Sequence, residues 1–467
     1  MLFNSLTFFY FFLVVLAGNY ALPQRVRNAW ILGASFIFYM SFSPAYILLL
    51  LVTAFVDYIA AQKMGERATK AERRPWLIVS LAFNLASLGF FKYTDMAIGT
   101  IGDLAQAFGS AHRPSLLHIA LPLGISFYTF ETISYGVDVY RGEIQPKKSF
   151  FEYLSFLMFF PKLIAGPIVR ASELLPQIRK ERSATGDEMC SAVNLILSGF
   201  IKKVLLADNF APFVEQVFAN PSAHNRWMCI VAAYGYSMQV YFDFSAYSDI
   251  ARGCARLLGY ELPLNFNQPY LAVSIADYWR RWHMTLSRWL GDYLYKPLGG
   301  NRGGRFLTYR NLFLTMLLGG LWHGAAWTFV IWGAMNGVFL LVERAWHDAR
   351  GTKPKSAEEL GFVDRWARRF VVFHLITLTR VFFRAPTFAI AIDLLRTIAR
   401  PLSRLAEPSL ALFLIPIVSL AYISLAFLKP RLHALRPSGP VVVAYGFALV
   451  GLLVFGASQA EFIYFQF

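Results

Sequence analysis

Long apolar stretches, separated by short polar segments, run along almost the whole chain. A membrane-spanning helix needs about 20 apolar residues, because each residue rises about 1.5 Å across a hydrocarbon core about 30 Å thick. The pattern predicts about eleven spanning segments among the apolar stretches near residues 2–22, 29–61 (divided or kinked at Pro44), 75–91, 116–139, 150–169, 193–218 and 227–250, two stretches around His323, and 370–383, 410–428 and 441–455. It therefore predicts an all-α, multi-pass membrane protein with a single domain, residues 1–467.

Residues 274–295 have a different pattern, which predicts a helix lying in the plane of the membrane interface. Ser274 and Asp277 form a capping box at its start. Apolar side chains recur every three or four residues, whereas three arginines fall on other parts of the helix surface. The apolar set is Ile275, Tyr278, Trp282, Leu286, Trp289 and Tyr293, and the basic set is Arg280, Arg281 and Arg288. An aromatic face and a basic face are typical of interfacial helices.

Composition supports a membrane protein and excludes an ordinary soluble enzyme. Hydrophobic residues make up 57% of the 467 residues and charged residues only 15%, against about 25% in soluble domains. The net charge of +16 does not indicate a nucleic-acid partner, because excess Lys and Arg in membrane proteins concentrate in cytoplasmic loops. The basic residues between Lys63 and Arg74 predict one such loop. The first apolar segment lacks a basic leader and a cleavage site, which predicts a retained helix.

The three cysteines indicate neither a metal site nor a disulfide framework. Cys190, Cys229 and Cys254 share no metal-ligand spacing, and their number is odd. They are typical of small buried apolar residues. The sequence therefore predicts no metal site.

His323 is the ionisable residue that stands out most clearly in an apolar segment. It lies within residues 311–342, which contain no Asp, Glu, Lys or Arg, and glycines flank it in LLGGLWHGAAW. Glycines permit a break in the helix or a close backbone approach, which a bilayer tolerates where protein or a water-filled cavity surrounds it. An ionisable residue inside a membrane is a functional candidate, and His323 has the pKa range of a general base at neutral pH. The alternative is a histidine that only packs between helices.

Three further clusters contain polar residues where the pattern predicts helices. Asp243, Gln239 and Tyr247 lie on one aromatic-rich segment, either as the wall of a polar cavity or as hydrogen-bonding contacts between helices. His283 shares a predicted face with Arg280. That face is either solvated, or its basic residues bind phosphates at a cavity mouth together with Arg281 and Lys296.

The third cluster is FFPKLIAGPIVR, residues 159–170, in which Pro161, Gly166 and Pro167 break the helix. The break predicts a re-entrant element. Lys162 lies beside it and either reaches the membrane interface with its long side chain or serves chemistry.

Several motifs resemble the membrane-bound O-acyltransferase (MBOAT) family, and within it the bacterial branch that acetylates exopolysaccharides. The matching stretches run along nearly the whole chain, and those that contain WRRWHMTLSRWL and LGGLWHG are specific. They are LPLGISFYTFETISYGVDVYRG, FFPKLIAGPIVR, GFIKKVLLADN, YFDFSAYSDIARG, NFNQPY, SIADYWRRWHMTLSRWLGDYLYKPLGGNRGG, TYRNLFLTMLLGGLWHGAAWTFVIWG and FIYFQF. The resemblance implies a bowl of tilted helices, with re-entrant and interfacial helices around a central tunnel.

The resemblance also implies an activity. It makes His323 the catalytic histidine, with His283 as a second catalytic candidate and Trp322 as a substrate-binding neighbour. The donor would be a cytoplasmic thioester, acetyl-CoA, which is a substrate rather than a bound cofactor. The acetyl group would cross the bacterial inner membrane to a periplasmic SGNH-type acetyltransferase, which works with a polysaccharide synthase and secretion complex on a polymer such as alginate or cellulose.

Two positions depart from the family pattern. In members of the family, a histidine often occupies the position of Asn336, and a histidine or a glutamine often occupies the position of Lys162. Neither residue can therefore act here as a second histidine. Asn336 is expected to orient groups by hydrogen bonding and Lys162 to supply charge to the substrate site. Three other functions stay open on the residues alone: a transporter or export subunit, a non-catalytic scaffold, and D-alanyl transfer to a cell-wall polymer.

Overall fold

The computed structural model describes residues 1–400 except 43, 111–112 and 181–182, together with residues 446, 462 and 463. Every regular element in these residues is a helix. The chain divides into two compact units, Met1–Ala192 with Ala251–Pro263, and Val193–Ile250 with Leu264–Phe467. A single domain and about eleven spans therefore stay predictions. The predicted segment 410–428, and 441–455 except residue 446, lie outside the described residues.

The first unit contains eight complete helices. They are α1 (Leu6–Ala21), α2 (Gln24–Met40), α3 (Tyr46–Gly65), α4 (Lys70–Leu88), α5 (Thr94–Ala107), α6 (Ile125–Arg141), α7 (Phe150–Leu157) and α8 (Ala171–Arg179). The predicted division near Pro44 is confirmed, because α2 ends and α3 begins on either side of it. A π-helical turn at Gly89–Tyr93 joins α4 to α5 in one run of 38 residues.

Two predicted boundaries in this unit were wrong. The segment expected at residues 116–139 becomes helical only at Ile125, because Gly124 adopts a left-handed backbone (φ 76°). Before it, the N–H groups of Leu117 and Ile119 donate to the Asp95 carboxylate at 2.8 and 3.1 Å, which holds this stretch in a non-helical conformation.

The basic loop expected between Lys63 and Arg74 is also shorter than predicted. The helix α3 continues to Gly65 and α4 begins at Lys70. The Thr69 side chain caps α4 by accepting from the Glu72 N–H at 3.3 Å. The last basic residues of the segment therefore lie on the first turns of α4.

The second unit contains seven complete helices and parts of two others. The helices α9 (Gly186–Phe200) and α11 (Arg226–Leu257) contribute residues to both units. The others are α10 (Asp208–Ala219), α12 (Ile275–Trp279), α13 (Met284–Leu290), α14 (Arg305–His323), α15 (Trp327–Arg350), α16 (Phe362–Arg384) and α17 (Phe388–Ala399). A π-helical segment, Ile201–Ala207, joins α9 to α10, and another, Gly291–Tyr295, follows α13.

Four helical runs in the described residues are long and apolar enough to cross a membrane. They are Tyr46–Gly65, Lys70–Ala107, Gly186–Ala219 and Trp327–Arg350, and α1 is a shorter apolar helix. Large apolar side chains are exposed on these runs, for example Leu48 at 66% and Val342 at 63%. Exposed apolar side chains on long helices fit contact with lipid.

The helices α14 and α15 approach each other closely at two glycines. A Cβ on Gly320 would lie 2.8 Å from the Gly333 Cα and would also collide with the Phe329 carbonyl. Only hydrogen atoms fit between these backbones, as in other membrane helix pairs that meet at small residues. The contact fixes the last turn of α14, which ends at His323.

Replacing Gly333 by alanine is expected to lower the free energy of unfolding by about 1–3 kcal/mol, because the new Cβ would lie 2.5 Å from the Met316 carbonyl oxygen. Thermal unfolding of the purified protein in detergent measures the change. Gly361→Ala is the matched control, since no atom lies within 4 Å of a Cβ there. Equal unfolding midpoints for the two variants would contradict the close helix contact.

Candidate functional site

His323 is the last residue of α14, at a break between two helices. Gly324 follows in an extended conformation, and α15 begins at Trp327. A Cβ on Gly324 would overlap the ring of Phe329, so a larger residue does not fit at the break. The predicted glycine-flanked break is confirmed, and it leaves the imidazole at a helix end with 5% of the residue exposed.

Aromatic rings surround the His323 imidazole. The ring centroids of Trp322 and Trp332 each lie 5.0 Å away, and that of Phe383 lies 5.3 Å away. All three rings meet the imidazole edge-on, at interplanar angles of 69–86°. These rings limit the access of water to the imidazole.

His323 lines a cavity of about 190 Å³ in the second unit. The lining comes from α12 to α15 and from the π-helical turn after α13, and most of it is apolar. Its residues with polar atoms include Trp279, Ser287, Tyr295, Thr315, His323 and Trp332. The indole N–H groups of Trp279 and Trp332 are buried and donate to no acceptor among the described residues. The cavity thus places an imidazole and two lining residues with available N–H donors around an apolar space.

The predicted interfacial helix at residues 274–295 is broken in the structure. Its start is confirmed, because the Ser274 hydroxyl accepts from the Asp277 N–H at 3.1 Å. The helix stops at Trp279, and most of its apolar stripe packs inside the second unit: Tyr278 and Trp282 are each 1% exposed. Protein side chains therefore cover the aromatic face, and the position of this segment at the membrane interface stays a prediction.

His283 lies in this break, and the prediction that it shares a solvated face with Arg280 was wrong. It adopts a left-handed backbone (φ 42°) and is fully buried, whereas the Arg280 side chain is 66% exposed. Its ring meets that of Phe244 at 4.7 Å and lies 6.5 Å from the His323 ring, between centroids. The Trp322 ring lies 6.1 Å from the His283 ring and 5.0 Å from the His323 ring. The structure therefore brings His283, His323 and Trp322 together.

Asn265 holds the backbone that follows His283, and sequence reasoning missed it. Its carbonyl oxygen accepts from the Met284 N–H at 2.9 Å, and its Oδ1 accepts from the Thr285 hydroxyl at 3.0 Å. Its Nδ2 donates to the Ser248 hydroxyl at 3.2 Å. These bonds fix a residue with an unfavourable positive φ. The sequence feature that could have identified this role is Asn265 itself, a polar residue in the NFNQPY motif.

Arg280 and Arg281, predicted to bind phosphates, both face Asp277. The Arg281 Nε lies 2.9 Å from the Asp277 carboxylate and the Arg280 Nη2 lies 3.8 Å from it. Partial burial lowers the pKa of Arg369, and the like charges of Arg365 and Arg281 lower it further. Arg281 thus belongs to a group of neighbouring guanidinium groups, and its role in phosphate binding stays a prediction.

Asp243, Gln239 and Tyr247 lie outside the cavity that contains His323. The Asp243 carboxylate pairs with the Lys203 ammonium at 2.8 Å and accepts from the Ile463 N–H at 2.7 Å. The Tyr247 ring packs against that of Phe462 at 5.1 Å. These contacts favour the alternative in which the polar residues join helices. A part for the three residues in substrate binding stays a prediction.

Lys162 is buried in the first unit, so the alternative in which it reaches the membrane interface was wrong. Its side chain is 0% exposed and pairs with the Glu131 carboxylate. It also donates to the Leu157 carbonyl at 3.3 Å, and the second Glu131 oxygen accepts from the Val169 N–H at 3.3 Å. This geometry is that of an ion pair that holds the segment at residues 159–170. The re-entrant course of that segment and substrate binding by Lys162 stay predictions.

Asn336 is fully buried on α15, one turn after Trp332. Its Nδ2 donates to the Trp332 carbonyl at 2.8 Å, whereas its Oδ1 accepts no hydrogen bond among the described residues. The side chain is therefore anchored at one end and available at the other. This is consistent with the orienting role expected for Asn336, which stays a prediction.

Sequence reasoning also missed Arg380, which was included in the plain apolar segment 370–383. It is buried on α16 near the rings that surround His323. A charged residue inside an apolar segment is itself a functional signal, and that signal was available in the sequence.

Within the described residues, no three His, Cys, Asp or Glu side chains gather in a way that would hold a metal ion. Cys190, Cys229 and Cys254 are free thiols. The site's polar groups are therefore imidazole, indole, amide and hydroxyl groups.

A model of the membrane-bound O-acyltransferase family matches residues 143–383, which include His283 and His323. The chain belongs to this family and is an O-acyltransferase, not the transporter or scaffold that the residues alone left open. It is a multi-pass membrane protein with an all-helical fold.

Named relatives agree with the family model. The chain is 40% identical over 441 residues to the probable alginate O-acetylase of Pseudomonas aeruginosa, covering 92% of this chain and 82% of the relative. It is 37% identical over 432 residues to the peptidoglycan O-acetyltransferase of Helicobacter pylori, covering 85% and 79%. It is 30% identical over 233 residues to the teichoic acid D-alanyltransferase of Bacillus subtilis, covering 47% and 58%.

Proposed function

We propose that this protein transfers an acetyl group from a thioester donor to a hydroxyl acceptor in the O-acetylation of a polysaccharide, with His323 as the general base. The observation that carries the proposal is the position of His323, a buried imidazole on the wall of an apolar cavity in an O-acyltransferase. Relatives named for alginate and peptidoglycan O-acetylation support acetyl transfer to a polysaccharide.

The chemistry follows from the groups around the cavity. His323 takes the proton of the acceptor hydroxyl as its oxygen attacks the thioester carbonyl. The carbon–oxygen bond forms, the carbon–sulfur bond breaks, and the proton passes from the imidazole to the leaving thiolate. The indole N–H groups of Trp279 and Trp332, which have no acceptor among the described residues, supply donors for the negative charge on the carbonyl oxygen. A covalent acetyl group on the imidazole is the alternative first step.

Acetyl-CoA is the proposed donor, because the basic residues Arg280, Arg281 and Lys296 would hold its phosphates. The largely apolar lining of the cavity suits the acyl group of the thioester.

The remaining features of the proposal rest on the family resemblance. The protein lies in a bacterial inner membrane and takes the acetyl group from the cytoplasmic side. It passes the group across the membrane to a periplasmic SGNH-type acetyltransferase that works with a polysaccharide synthase and secretion complex. Alginate, peptidoglycan and cellulose are the polymers to compare as final acceptors.

Donor selectivity tests the proposal. Purified protein in lipid nanodiscs, supplied with alginate oligosaccharides and the periplasmic acetyltransferase as the source of the acceptor hydroxyl, is expected to release CoA thiol faster from acetyl-CoA than from hexadecanoyl-CoA, because the relatives named for alginate and peptidoglycan are O-acetyl-transferring enzymes. A D-alanyl carrier-protein thioester is the third donor, since the teichoic acid D-alanyltransferase relative makes D-alanyl transfer the second candidate function. Faster turnover of the D-alanyl thioester, or binding of acetyl-CoA without any thiol release, would overturn acetyl transfer.

A further inference from the structure

A very short helix carries one of the two indole donors of the cavity. The helix α12 contains only five residues, Ile275–Trp279, and its last residue, Trp279, lines the cavity that contains His323. Isolated helices shorter than about 12 residues are marginal, so contacts with the rest of the unit must hold α12 in place. The position of the Trp279 indole therefore depends on what anchors this helix.

A carboxylate on α15, that of Glu343, anchors the start of α12. It accepts from the Ile275 N–H at 2.6 Å and from the Ala276 N–H at 3.4 Å. Both belong to the first N–H groups of α12, which have no acceptor inside the helix. In the described part of the chain these backbone groups are its partners, whereas the Asp277 carboxylate of the same turn pairs with Arg281. Glu343 thus joins α15 to the main chain of α12.

The helix α15 also carries the second indole donor. Trp332, Asn336, Leu340 and Glu343 follow one another at spacings of four, four and three, so they lie along one side of α15. The ring centroids of Trp279 and Trp332 are 5.7 Å apart. The helix α12 is therefore held against α15 at both ends, by Glu343 at its first residues and by Trp332 at its last. These two contacts set the position of one indole relative to the other.

We propose that Glu343 is a positioning residue for acyl transfer, which holds α12 against α15 so that the Trp279 and Trp332 indole N–H groups act on the same thioester carbonyl oxygen. This inference rests on the proposed function. Donors stabilise the charge that develops on this oxygen best when they are fixed before the reaction, and a misplacement of about 1 Å costs about 100-fold in rate. Glu343 does not line the cavity, so it acts through Trp279. Without the carboxylate, the first N–H groups of α12 lose their acceptor and the helix is free to shift.

A double-mutant cycle on the purified full chain in nanodiscs tests the proposal. Turnover is the release of CoA thiol at saturating acetyl-CoA, with alginate oligosaccharides and the periplasmic acetyltransferase present. Glu343→Ala is expected to lower kcat about 10- to 100-fold, and Glu343→Gln, whose amide oxygen still accepts the Ile275 N–H, should restore most of it. Trp279→Phe removes the indole N–H and is expected to lower kcat about 100-fold. In that background Glu343→Ala should change kcat by less than about 3-fold, because its effect passes through the donor that is already lost.

The matched control is Glu359→Ala, because Glu359 is an exposed carboxylate of the same unit that accepts one backbone N–H, that of Ser356, at 2.9 Å. It should retain the wild-type kcat. Hydrogen–deuterium exchange of the backbone amides gives a readout without turnover. Glu343→Ala should speed exchange throughout Ile275–Trp279, and Glu359→Ala should leave exchange there unchanged.

Four results would overturn the role of Glu343. They are a wild-type kcat in Glu343→Ala, no recovery in Glu343→Gln, unchanged exchange in α12, and an equal fold-loss of kcat with and without the Trp279 indole. The last result would mean that the substitution only reduces the amount of folded protein. A wild-type protein that releases no thiol from acetyl-CoA would instead overturn the proposed function, and the exchange of α12 would still decide whether Glu343 holds this helix.

Discussion

Replacing His323 by alanine is expected to reduce the rate of acetyl transfer by about 10²–10⁴-fold, the usual contribution of a general base. The imidazole is the strongest proton acceptor among the side chains that line the cavity, which otherwise provide hydroxyl, indole and apolar groups. His323→Gln should be equally slow, because an amide fills the space without accepting a proton at neutral pH. Release of CoA thiol and formation of the acetyl ester, measured on the same samples, check both halves of the reaction.

His347→Ala is the matched control for this loss. His347 lies at the end of α15, in the same unit, and its Nδ1 hydrogen-bonds the Thr352 hydroxyl at 3.0 Å. This variant should retain wild-type turnover. If His323→Ala folds and transfers acetyl groups at the wild-type rate, His323 belongs to the packing of the helices and the catalytic assignment is wrong.

Replacing Lys162 by methionine is expected to lower the free energy of unfolding by about 3–5 kcal/mol. The change leaves the Glu131 carboxylate buried without its ammonium partner, in a segment where the two side chains are 4% and 0% exposed. Thermal or denaturant unfolding of the first unit measures the effect. A fluorescent label at an exposed position of α8 reports on that unit. Activity should fall in parallel with the folded fraction.

The double variant Lys162→Met with Glu131→Leu separates a structural role from substrate binding. Replacing both members of a buried ion pair by apolar residues is often neutral, so the double variant should recover most of the lost stability and turnover. A double variant that is stable but does not bind the donor would show that Lys162 contacts substrate. A double variant no more stable than Lys162→Met would show that the ion pair does not hold this segment.

The helices and the central histidine could be predicted from sequence because they depend on local pattern. Long apolar segments predict helices such as α3 and α15, and the run of glycines around His323 predicts a break there. The boundary at Ile125 was missed because it depends on a left-handed glycine and on hydrogen bonds to Asp95, which is far away in sequence. Such non-local contacts leave no periodic signal.

The surroundings of the histidine depend on burial and backbone conformation, which hydrophobic periodicity does not specify. Residues 274–295 carry a helical repeat, yet the left-handed conformation of His283 ends that helix and turns the side chain inward. The aromatic stripe looked suited to lipid because lipid and protein interior select the same side chains. Arg380 was overlooked because one charge changes the mean hydropathy of a segment very little.

Acetyl transfer through the cavity at His323 is tested most directly in sealed proteoliposomes. Labelled acetyl-CoA is added outside, and alginate oligosaccharides and the periplasmic acetyltransferase are trapped inside. Wild-type protein is expected to place labelled acetyl groups inside the vesicles while releasing an equal amount of CoA thiol outside, and His323→Ala is expected to do neither above the protein-free rate. Equal labelling by His323→Ala, or intact acetyl-CoA inside the vesicles, would contradict catalysis by His323.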